Sequence, residues 1–454
     1  MTTYEGTAAP GAPVDHGGAR RGFALLGTVQ ATLIFTLASL AVPLPLIGTE
    51  FGLDQGELIL LSAAYGLTFA GLLLLGGRLT DRYGARSTLT AGLLLFAAAS
   101  ALAPLATGYG PLLGARFAQG AGAALVAPAA MGALRALYPE PAAYGRAMGT
   151  WGGLSVLGAT AGNLLSGAIT AAASWRASFA VPVAVALAAL LLAPRLLPAT
   201  PPGARRALDL PGALLATAGI VLASTGLVLT DAHPWGSAPV LVPLLSGLAL
   251  LAGFARAERR AADPLLPPDF LRDRRRLLGL TAIALTAAGT ATVFVLLSLG
   301  LQRERGWSAL LTSAAFVPFA AALLGAGRLA GPLLGRYGPG RVTAAGLGTA
   351  GAGLALLAAG AGDPAVPYAH GLLPGLLLLP AGGALSFAGA AVLATERVPA
   401  DRTGLAGGVL NTAMELGPTV LFAALLALGG SAVPLAAAAG LFAALAFLTI
   451  RLAK

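Results

Sequence analysis

Two charged residues stand inside long apolar stretches of this 454-residue sequence, Arg116 and Glu415. Burial among apolar groups favours the protonated form of a carboxyl group, which can then exchange a proton near neutral pH. An arginine at such a depth is unfavourable unless it faces a cavity or a partner. Gln119 follows Arg116 by three residues and Asn411 precedes Glu415 by four, so each shares a helical face with its charged neighbour. These residues are candidates for proton transfer and for orienting a substrate.

Each charged residue also has a structural interpretation. Arg116 could extend its guanidinium group to the outer membrane interface while its alkyl stem stays among apolar groups. Glu415 could remain neutral and hydrogen-bonded, and so lock two helices together.

Enzyme chemistry is not indicated. The sequence contains no H-E-x-x-H, G-x-S-x-G or phosphate-binding P-loop pattern. Its three histidines, His16, His233 and His370, are far apart and form no ligand cluster. We therefore predict a protein that is not an enzyme and holds no metal or cofactor. Without a nucleotide site, uphill work would draw on an ion gradient, and a proton gradient is the expected source.

The composition is that of an integral membrane protein. Hydrophobic residues make up 57% of the chain and charged residues only 10%, with a mean hydropathy of +0.83. Soluble domains carry about 25% charged residues. Strands of outer-membrane barrels alternate polar and apolar residues, whereas the apolar runs here are continuous. The predicted fold class is all-α integral membrane, with the lipid bilayer as its surroundings.

Apolar windows of about 20 residues predict fourteen membrane spans in three groups. They lie at residues 22–47, 58–77, 88–107, 111–133, 147–170 and 178–196, then at 210–231 and 238–255, then at 278–301, 309–331, 342–361, 370–393, 404–428 and 432–451. Residues 1–21 are predicted to be a disordered cytoplasmic tail. The expected units are an N-terminal six-span bundle (22–196), a linker with two extra spans (197–277) and a C-terminal six-span bundle (278–454).

The basic residues predict the orientation. Most arginines fall on the side of the chain termini, whereas the opposite side receives only Arg176, Arg303 and Arg305. Basic loops stay in the cytoplasm, so we predict a multi-pass protein of the inner (plasma) membrane with both termini cytoplasmic. The formal charge of +10 does not indicate a nucleic-acid partner, because the basic residues are scattered between apolar runs.

An internal repeat relates the two halves. Residues 77–84 and 331–338 share an Arg-Tyr-Gly core at an offset of 254 residues, and Gly92 and Gly346 have the same offset. Each copy falls between the second and third spans of its half. Two six-span halves related in this way are typical of secondary transporters, whose substrate path runs between them near the membrane midplane.

Several segments resemble known motifs. Residues 77–86, with Gly77, Asp81, Arg82, Gly84 and Arg86, resemble the cytoplasmic-loop signature of the major facilitator superfamily. Residues 116–123, which include Arg116, Gln119 and Gly120, resemble its fourth-span motif, and residues 158–167 resemble its fifth-span antiporter motif. The six-two-six arrangement is similar to the fourteen-span drug/proton antiporter branch. The resemblance implies the major facilitator fold, with two six-helix bundles and two extra central spans.

The resemblance also implies roles. Asp81 would contact the N-terminus of the span that begins near Thr403 and so close the cytoplasmic side in one state; the alternative is a solvated charge that only determines topology. Gly158, Gly162 and Gly167, with Asn163, would pack helices closely. Two positions depart from the family pattern: Thr36 stands where an aspartate is usual, and Asn163 stands where a proline is usual.

The sequence thus predicts a secondary transporter that exports small amphiphilic drugs or natural products by alternating access, coupled to protons. Because Arg116 and Glu415 would balance each other near the midplane, we expect neutral, zwitterionic or weakly anionic substrates. We expect the protein to function as a monomer. Uptake or uniport of a metabolite without proton coupling is the alternative, favoured by Thr36, and a non-transporting membrane sensor or scaffold is a more distant one.

Overall fold

The computed structural model of the protein describes residues 16–40, 42–199, 209–231, 233–261, 264–307, 309–361, 366–426 and 432–452. Within these ranges the regular structure is helical. In chain order the helices are α1 (His16–Ala38), α2 (Leu44–Phe51), α3 (Gln55–Tyr83), α4 (Ala85–Leu102), α5 (Tyr109–Leu137), α6 (Pro141–Ala172), α7 (Ala180–Leu196), α8 (Leu210–Val228), α9 (Ala238–Glu258), α10 (Arg274–Leu299), α11 (Ala309–Ala315), α12 (Val317–Ala361), α13 (Tyr368–Gly371), α14 (Leu373–Thr395), α15 (Thr403–Leu426) and α16 (Ala432–Leu452).

In the described part of the chain, twelve helices are long and apolar enough to cross a membrane. One of them, α12, has 45 residues and is interrupted at Gly338, where the backbone is not helical (φ 77°, ψ 162°), so it consists of two helices that meet at a kink. The 24-residue α15 is a further long helix. The all-helical membrane fold predicted from the composition is therefore confirmed.

The first predicted span differs from the structure. Residues 22–47 were expected to form one helix, but α1 ends at Ala38 and a separate short helix, α2, begins at Leu44. Pro43 and Pro45 explain the break, since proline lacks the backbone N–H that continues a helix. At its other end α1 begins at His16, so residues 16–21 of the predicted tail are helical, while residues 1–15 lie outside the described ranges.

Two groups of long helices form the body of the protein. Helix α3 packs on α5, α4 on α5 and α7, and α1 on α6 and α7; we call this group the N-terminal bundle. Helix α12 packs on α14 and α16, and α10 on α14 and α15; we call this group the C-terminal bundle. Glycines allow the closest approaches: a Cβ atom at Gly76 would overlap the carbonyl of Ala124, and one at Gly382 would overlap the backbone of Ala350.

The internal repeat is confirmed in the backbone. Gly84 separates α3 from α4 with φ 84°, and Gly338 separates the two parts of α12 with φ 77°. This left-handed region favours glycine, which has no Cβ atom to clash. Gly92 and Gly346 each lie against the backbone of the next long helix, α5 and α14 respectively. Equivalent glycines therefore have the same structural role in the two halves: one pair separates consecutive helices, and the other pair allows close helix packing.

The two ends of the molecule differ. At one end the Tyr138 hydroxyl donates to the Ala19 carbonyl (3.2 Å), and Arg135 lies 5.0 Å from the centre of the Tyr144 ring. We call this the basic end, since it holds the arginines of the connections after α3 and α5 and those beside the kink inside α12, Arg336 and Arg341. The start of α1 lies at this same end, because Ala19 accepts the hydrogen bond from Tyr138. The other end of the molecule, where α2 and the segment before α7 lie, is called the opposite end.

Helices α8 and α9 pair with each other and lie against α3, where the Thr217 hydroxyl donates to the Gly71 carbonyl (2.9 Å). Glu258, at the end of α9, accepts hydrogen bonds from the backbone N–H groups of Leu265 (3.1 Å) and Leu266 (2.7 Å). These contacts attach the pair to the N-terminal bundle and to the segment that leads into α10.

A polar cluster joins α2 to the segment before α7 at the opposite end. Both carboxylate oxygens of Glu50 accept hydrogen bonds from Arg176 (2.7 and 3.1 Å), and the indole N–H of Trp175 donates to one of them (2.8 Å). The hydrogen bonds from Arg176 and then from Trp175 hold the pKa of Glu50 below its usual range. Trp175 and Arg176 therefore act within the N-terminal bundle, where they hold α2 over its end.

This cluster predicts a loss of stability in acid. Because the folded state lowers the pKa of Glu50, its stabilisation is present above the usual glutamate pKa, about 4.3, and is lost as the pH falls through the lowered value. The effect is small, about 1 kcal/mol or less, because the pair is partly exposed. Melting of the purified protein against pH should show this component, and Glu50→Gln should remove it; an unchanged profile would contradict the assignment.

Candidate functional site

A cavity of about 740 Å³ lies between the two bundles. It is lined by α1 and α6 on one side and by α10, α12, α14 and α15 on the other. Ser298 and Gln302, near the end of α10, and Phe316, just before α12, belong to the lining, so the cavity reaches the opposite end. A cavity of this size accommodates a drug-sized molecule.

Glu415 is the only charged residue among the described residues that line the cavity. It lies twelve residues after the start of α15, about 18 Å along the helix from the basic end. Its predicted neighbour Asn411 is buried one turn earlier, where its side-chain amide donates to the Gly407 carbonyl (2.8 Å), and it is not part of the lining. The structure thus separates the two: Glu415 faces the cavity and Asn411 stabilises its own helix.

An aromatic cluster forms part of the wall on the side of the C-terminal bundle. The rings of Phe294 and Phe316 are stacked with centroids 4.4 Å apart, and Phe319 meets Phe294 edge-on at 5.1 Å. Phe387 lines the cavity from α14. Sequence reasoning missed these residues because a phenylalanine in an apolar helix resembles any other core residue, and only the packing of α10 against α12 brings the rings together.

Hydroxyl and amide groups supply the polar part of the lining. Ser155 accepts a hydrogen bond from the side-chain amide of buried Gln30 (3.3 Å), and Thr286 hydrogen-bonds with Ser386 (3.3 Å). The hydroxyl of Thr312, which is 3% exposed, has no hydrogen-bond partner among the described residues. The wall can therefore hydrogen-bond a bound molecule through neutral groups.

Arg116 lies inside the N-terminal bundle and does not belong to the described cavity lining. Its side chain is completely buried, so the interpretation as an interfacial snorkelling arginine is wrong. The guanidinium donates to the Thr36 carbonyl and to Gln119 Oε1 (both 3.1 Å) and lies 5.1 Å from the centre of the Tyr65 ring. The Nε and Nη2 groups have no hydrogen-bond partner among the described residues.

The other residues of the fourth-span motif complete this buried cluster. The Gln119 amide donates to the Ser100 hydroxyl (2.9 Å), which connects α5 to α4. Gly120 lies against the backbone of α3, where a Cβ atom would overlap the Tyr65 carbonyl and the Thr68 hydroxyl. The motif therefore joins α1, α3, α4 and α5, and the charge balance between Arg116 and Glu415 that the sequence suggested does not occur within the cavity.

Asp81 joins the two bundles at the basic end. Its carboxylate accepts hydrogen bonds from the backbone N–H groups of Gly404 (2.5 Å) and Leu405 (2.8 Å), in the first turn of α15. A helix N-terminus favours such a negative charge. Gly77 and Gly404 make this approach possible, because a Cβ atom on either would overlap the backbone of the other. The structure therefore brings Asp81 to the helix that the resemblance indicated.

A second contact closes the same end. Gly149 of α6 and Gly327 of α12 face each other, and a Cβ atom on either would lie about 3 Å from the carbonyl oxygen of the other. The side chain of Arg146 covers Gly331, which is the repeat equivalent of Gly77. With both pairs of helices in contact, the cavity is closed at the basic end.

The remaining residues of the loop signature surround Asp81. Gly84 provides the left-handed turn between α3 and α4, and Arg86 lies half-buried in the first turn of α4. Arg82 lies next to the Tyr83 ring, 5.4 Å from its centre. The signature thus supplies the Asp81 carboxylate, which binds the first turn of α15, and the Gly84 turn, whose positive φ favours glycine.

The glycines of the fifth-span motif pack α6 against α1. A Cβ atom at Gly158 would overlap the Ala31 carbonyl, and one at Gly162 would lie 2.7 Å from the Phe35 carbonyl. Gly167 is less constrained, with only the Val42 side chain at 3.3 Å. The side chain of Asn163 lies outside the described part of the structure. The backbones of α6 and α1 are therefore in close contact at Gly158 and Gly162.

Replacing these glycines should have graded effects. Gly158→Ala should destabilise the protein by about 1–3 kcal/mol, since its methyl group meets a backbone carbonyl that cannot move aside. Gly167→Ala should cost less, because its neighbour is a side chain. Melting temperatures in one detergent would test this order, with Gly114→Ala as the control because nothing lies within 4 Å of its Cβ position. Equal melting temperatures for all three variants would contradict it.

Known proteins resemble this chain in sequence and in fold. The sequence profile of the Major Facilitator Superfamily matches residues 24–422. The chain belongs to the major facilitator superfamily. It is 35% identical over 446 residues to the cephamycin export protein of Amycolatopsis lactamdurans, covering 95% of this chain and 89% of that protein. It is also 35% identical over 402 residues to the puromycin resistance protein of Streptomyces alboniger, covering 88% and 80%.

Solved structures show the same fold at low sequence identity. The human organic anion transporter MFSD10 superposes with a TM-score of 0.64 at 18% identity, covering 95% of this chain and 99% of its own. The E. coli fucose:proton symporter superposes with a TM-score of 0.63 at 16% identity, covering 96% and 99%. These structures show the fold. The family profile and the relatives at 35% identity show a membrane transporter, and they confirm the sequence-based assignment to the superfamily.

Proposed function

We propose that this member of the major facilitator superfamily is a proton-driven exporter of small amphiphilic compounds. The observation that carries the proposal is the position of Glu415, the only charged residue of the described lining of a closed-ended cavity between the bundles. The named relatives act in antibiotic export and resistance, which favours export. The protein needs no cofactor, because the proton gradient supplies the energy.

The proposed topology has fourteen spans. The twelve apolar helices, the break of α12 at Gly338 and the long α15 together supply this number. The chain then divides into residues 22–196, 197–277 and 278–454, with α8 and α9 as the extra pair of the fourteen-span branch. An even number of spans leaves both termini on one side.

The basic end is proposed to face the cytoplasm of a cell whose plasma membrane holds the protein. Arginines are concentrated there, and basic segments are retained in the cytoplasm. In this orientation the structure represents the outward-facing state, with the cavity open to the exterior and closed toward the cytoplasm. The protein functions in this scheme as a monomer, since one chain contains the complete cavity.

The transport cycle follows from the two closures. In the outward-facing state Asp81 holds α15 against α3, and the Gly149–Gly327 contact holds α6 against α12. When both contacts separate, the same cavity opens to the cytoplasm and takes up a substrate. Glu415 would bind a proton from the exterior and release it to the cytoplasm. This proton transfer would couple the return to the cytoplasm-facing state to the proton gradient.

One observation favours uptake or uniport as the second candidate. Beside the buried Arg116 stands Thr36, which offers its backbone carbonyl but no carboxyl group. If the usual coupling of the branch requires a carboxyl group at this position, the protein would move its substrate without protons. Counterflow in proteoliposomes that is independent of a pH gradient would support this candidate.

Accumulation in an efflux-deficient host tests the proposed function. Cells that express the wild-type protein or an empty vector would receive a panel of neutral, anionic and cationic drugs, each with and without a protonophore. Lower accumulation that the protonophore abolishes supports a proton-driven exporter. Unchanged accumulation of every compound at verified expression would contradict export.

A further inference from the structure

We propose that Asp209 and Glu258 share one proton, and that this proton attaches helices α8 and α9 to the segment that leads into α10. The two carboxyl groups lie outside the cavity and take no part in the transport cycle proposed above. They make a connection between the two bundles sensitive to pH at the basic end.

The two carboxyl groups meet where α8 begins and α9 ends. Asp209 Oδ1 accepts a hydrogen bond from the backbone N–H of Gly212 (2.8 Å), whereas the buried Oδ2 atom receives no N–H or hydroxyl donor from the described residues. Glu258, the last residue of α9, is only 4% exposed. A Cβ atom at Gly212 would overlap both Asp209 Oδ2 and Glu258 Oε1, and the two side chains lie within hydrogen-bonding distance of each other.

This contact requires a proton. Ionised carboxyl groups only accept hydrogen bonds, so a bond between two of them forms when one carries a proton. The backbone N–H groups of Leu265 (3.1 Å) and Leu266 (2.7 Å) already donate to Glu258, one to each of its oxygens. Because two negative charges this close and this buried repel each other, the pair retains one proton between Asp209 Oδ2 and Glu258 Oε1.

Other charged groups do not take the place of this proton. On α9 the neighbouring basic residues, Arg256 and Arg259, are exposed. In the segment after α9, Asp269 is exposed and pairs with Arg272 (2.6 Å). Within the described ranges α8 itself contributes no basic residue, and no arginine, lysine or histidine there bonds to either carboxyl group of the pair.

The carboxyl pair lies in the middle of a connection between the two bundles. On one side, the Thr217 hydroxyl of α8 donates to the Gly71 carbonyl of α3 (2.9 Å). On the other side, Arg276 at the start of α10 donates to the carbonyl of Phe270 (2.7 Å) and to that of Ala394 at the end of α14 (3.3 Å). The segment held by Glu258 is therefore fastened to the C-terminal bundle, while α8 and α9 are fastened to the N-terminal bundle.

The shared proton determines how the connection responds to pH. The attached state binds one proton more than a detached state, in which water surrounds both carboxyl groups and both are ionised at neutral pH. Rising pH removes this proton and leaves two adjacent negative charges. The equilibrium constant for attachment should therefore fall by up to about tenfold per pH unit until the proton is lost, and should be constant at higher pH.

Hydrogen–deuterium exchange of the backbone N–H groups of Leu265 and Leu266 measures the attachment directly, because both donate to Glu258. The purified full-length protein would be measured from about pH 5 to pH 9, and each rate would be divided into the intrinsic rate of an unstructured peptide at the same pH. We expect the resulting protection factor to fall at least about tenfold as the pH rises. A peptide from the buried part of α14 serves as the internal reference, whose protection should not change.

Asp209→Asn separates the proton from the contact itself. Asparagine keeps an oxygen for the Gly212 N–H and presents an amide N–H to Glu258 where the shared proton lies in the wild type. Protection of Leu265 and Leu266 should therefore persist and become independent of pH. Glu258→Gln should instead lower protection at every pH, since glutamine has only one oxygen for two backbone donors.

Asp269→Asn is the matched control, because Asp269 is an exposed acid of the same segment and should leave the pH profile of the wild type unchanged. If Asp209→Asn does not fold, the wild-type profile compared with that of the α14 peptide remains decisive. Protection that does not depend on pH in the wild type, or a pH dependence that survives Asp209→Asn, would overturn the inference. The measurement involves no transport, so a failure of the proposed export would not affect its outcome.

Discussion

Glu415→Gln is expected to abolish proton-driven export, with the rate falling at least about tenfold toward the level of cells without the protein. Glutamine keeps the size and hydrogen-bonding capacity of the side chain but cannot bind and release a proton. Because Glu415 is the only charged residue among the described cavity-lining residues, no neighbour there can replace it. Drug accumulation with and without a protonophore, in cells of matched expression, measures the effect.

The same variant should retain exchange that needs no net proton movement. Counterflow of a neutral drug in proteoliposomes should continue at a rate close to that of the wild type, since the cavity and both closures are intact. Glu304, an exposed acid directly after α10 that does not line the cavity, provides the control: Glu304→Gln should behave as the wild type in both assays. Protonophore-sensitive export by Glu415→Gln would move the proton site elsewhere, and loss of counterflow would indicate a structural role instead.

Asp81→Asn is expected to shift the protein away from the state in which the basic end is closed. The aspartate accepts two backbone hydrogen bonds at the N-terminus of α15, and asparagine replaces a charged acceptor by a neutral one. Losing charge-assisted bonds at this position costs about 2–3 kcal/mol. That free energy corresponds to a change of roughly 30- to 150-fold in the ratio of the two states.

The absence of cysteine from the chain makes this shift measurable. A single Ser298→Cys substitution in the cavity wall would report access from the opposite end through its rate of reaction with a membrane-impermeant maleimide. Labelling should be slower in the Asp81→Asn background than in the Ser298→Cys protein alone.

Glu140→Gln is the control for the Asp81 experiment. Glu140 stands at the start of α6, at the same end, but its side chain caps no helix. Its replacement should leave the labelling rate unchanged. If Asp81→Asn also leaves labelling and transport unchanged, Asp81 is a solvated charge that contributes to topology alone.

Arg116 illustrates the limit of interpretation from sequence. Its type and depth showed that a charge had to be accommodated inside an apolar helix, and its spacing from Gln119 placed the two on one face. Whether that face pointed to the cavity or into the bundle depended on how α5 is rotated against α1, α3 and α4. The structure shows that it points into the bundle. The substrate expectation assumed that Arg116 and Glu415 balance each other in one cavity, and the described lining contains only Glu415.

The sequence by itself determined the membrane class, most of the helical segments, the internal repeat and the superfamily. These properties depend on local composition and on spacing along the chain, because a membrane span must be apolar over its whole length. The Asp81 contact was also indicated, through a motif that resembles a known loop. Tertiary structure alone decided that Glu415 faces a cavity whose described lining holds no basic residue, that three phenylalanines form part of one wall, and that Gly149 meets Gly327. Such contacts join residues far apart in sequence, and they depend on the rotation and crossing of packed helices, which local composition does not specify.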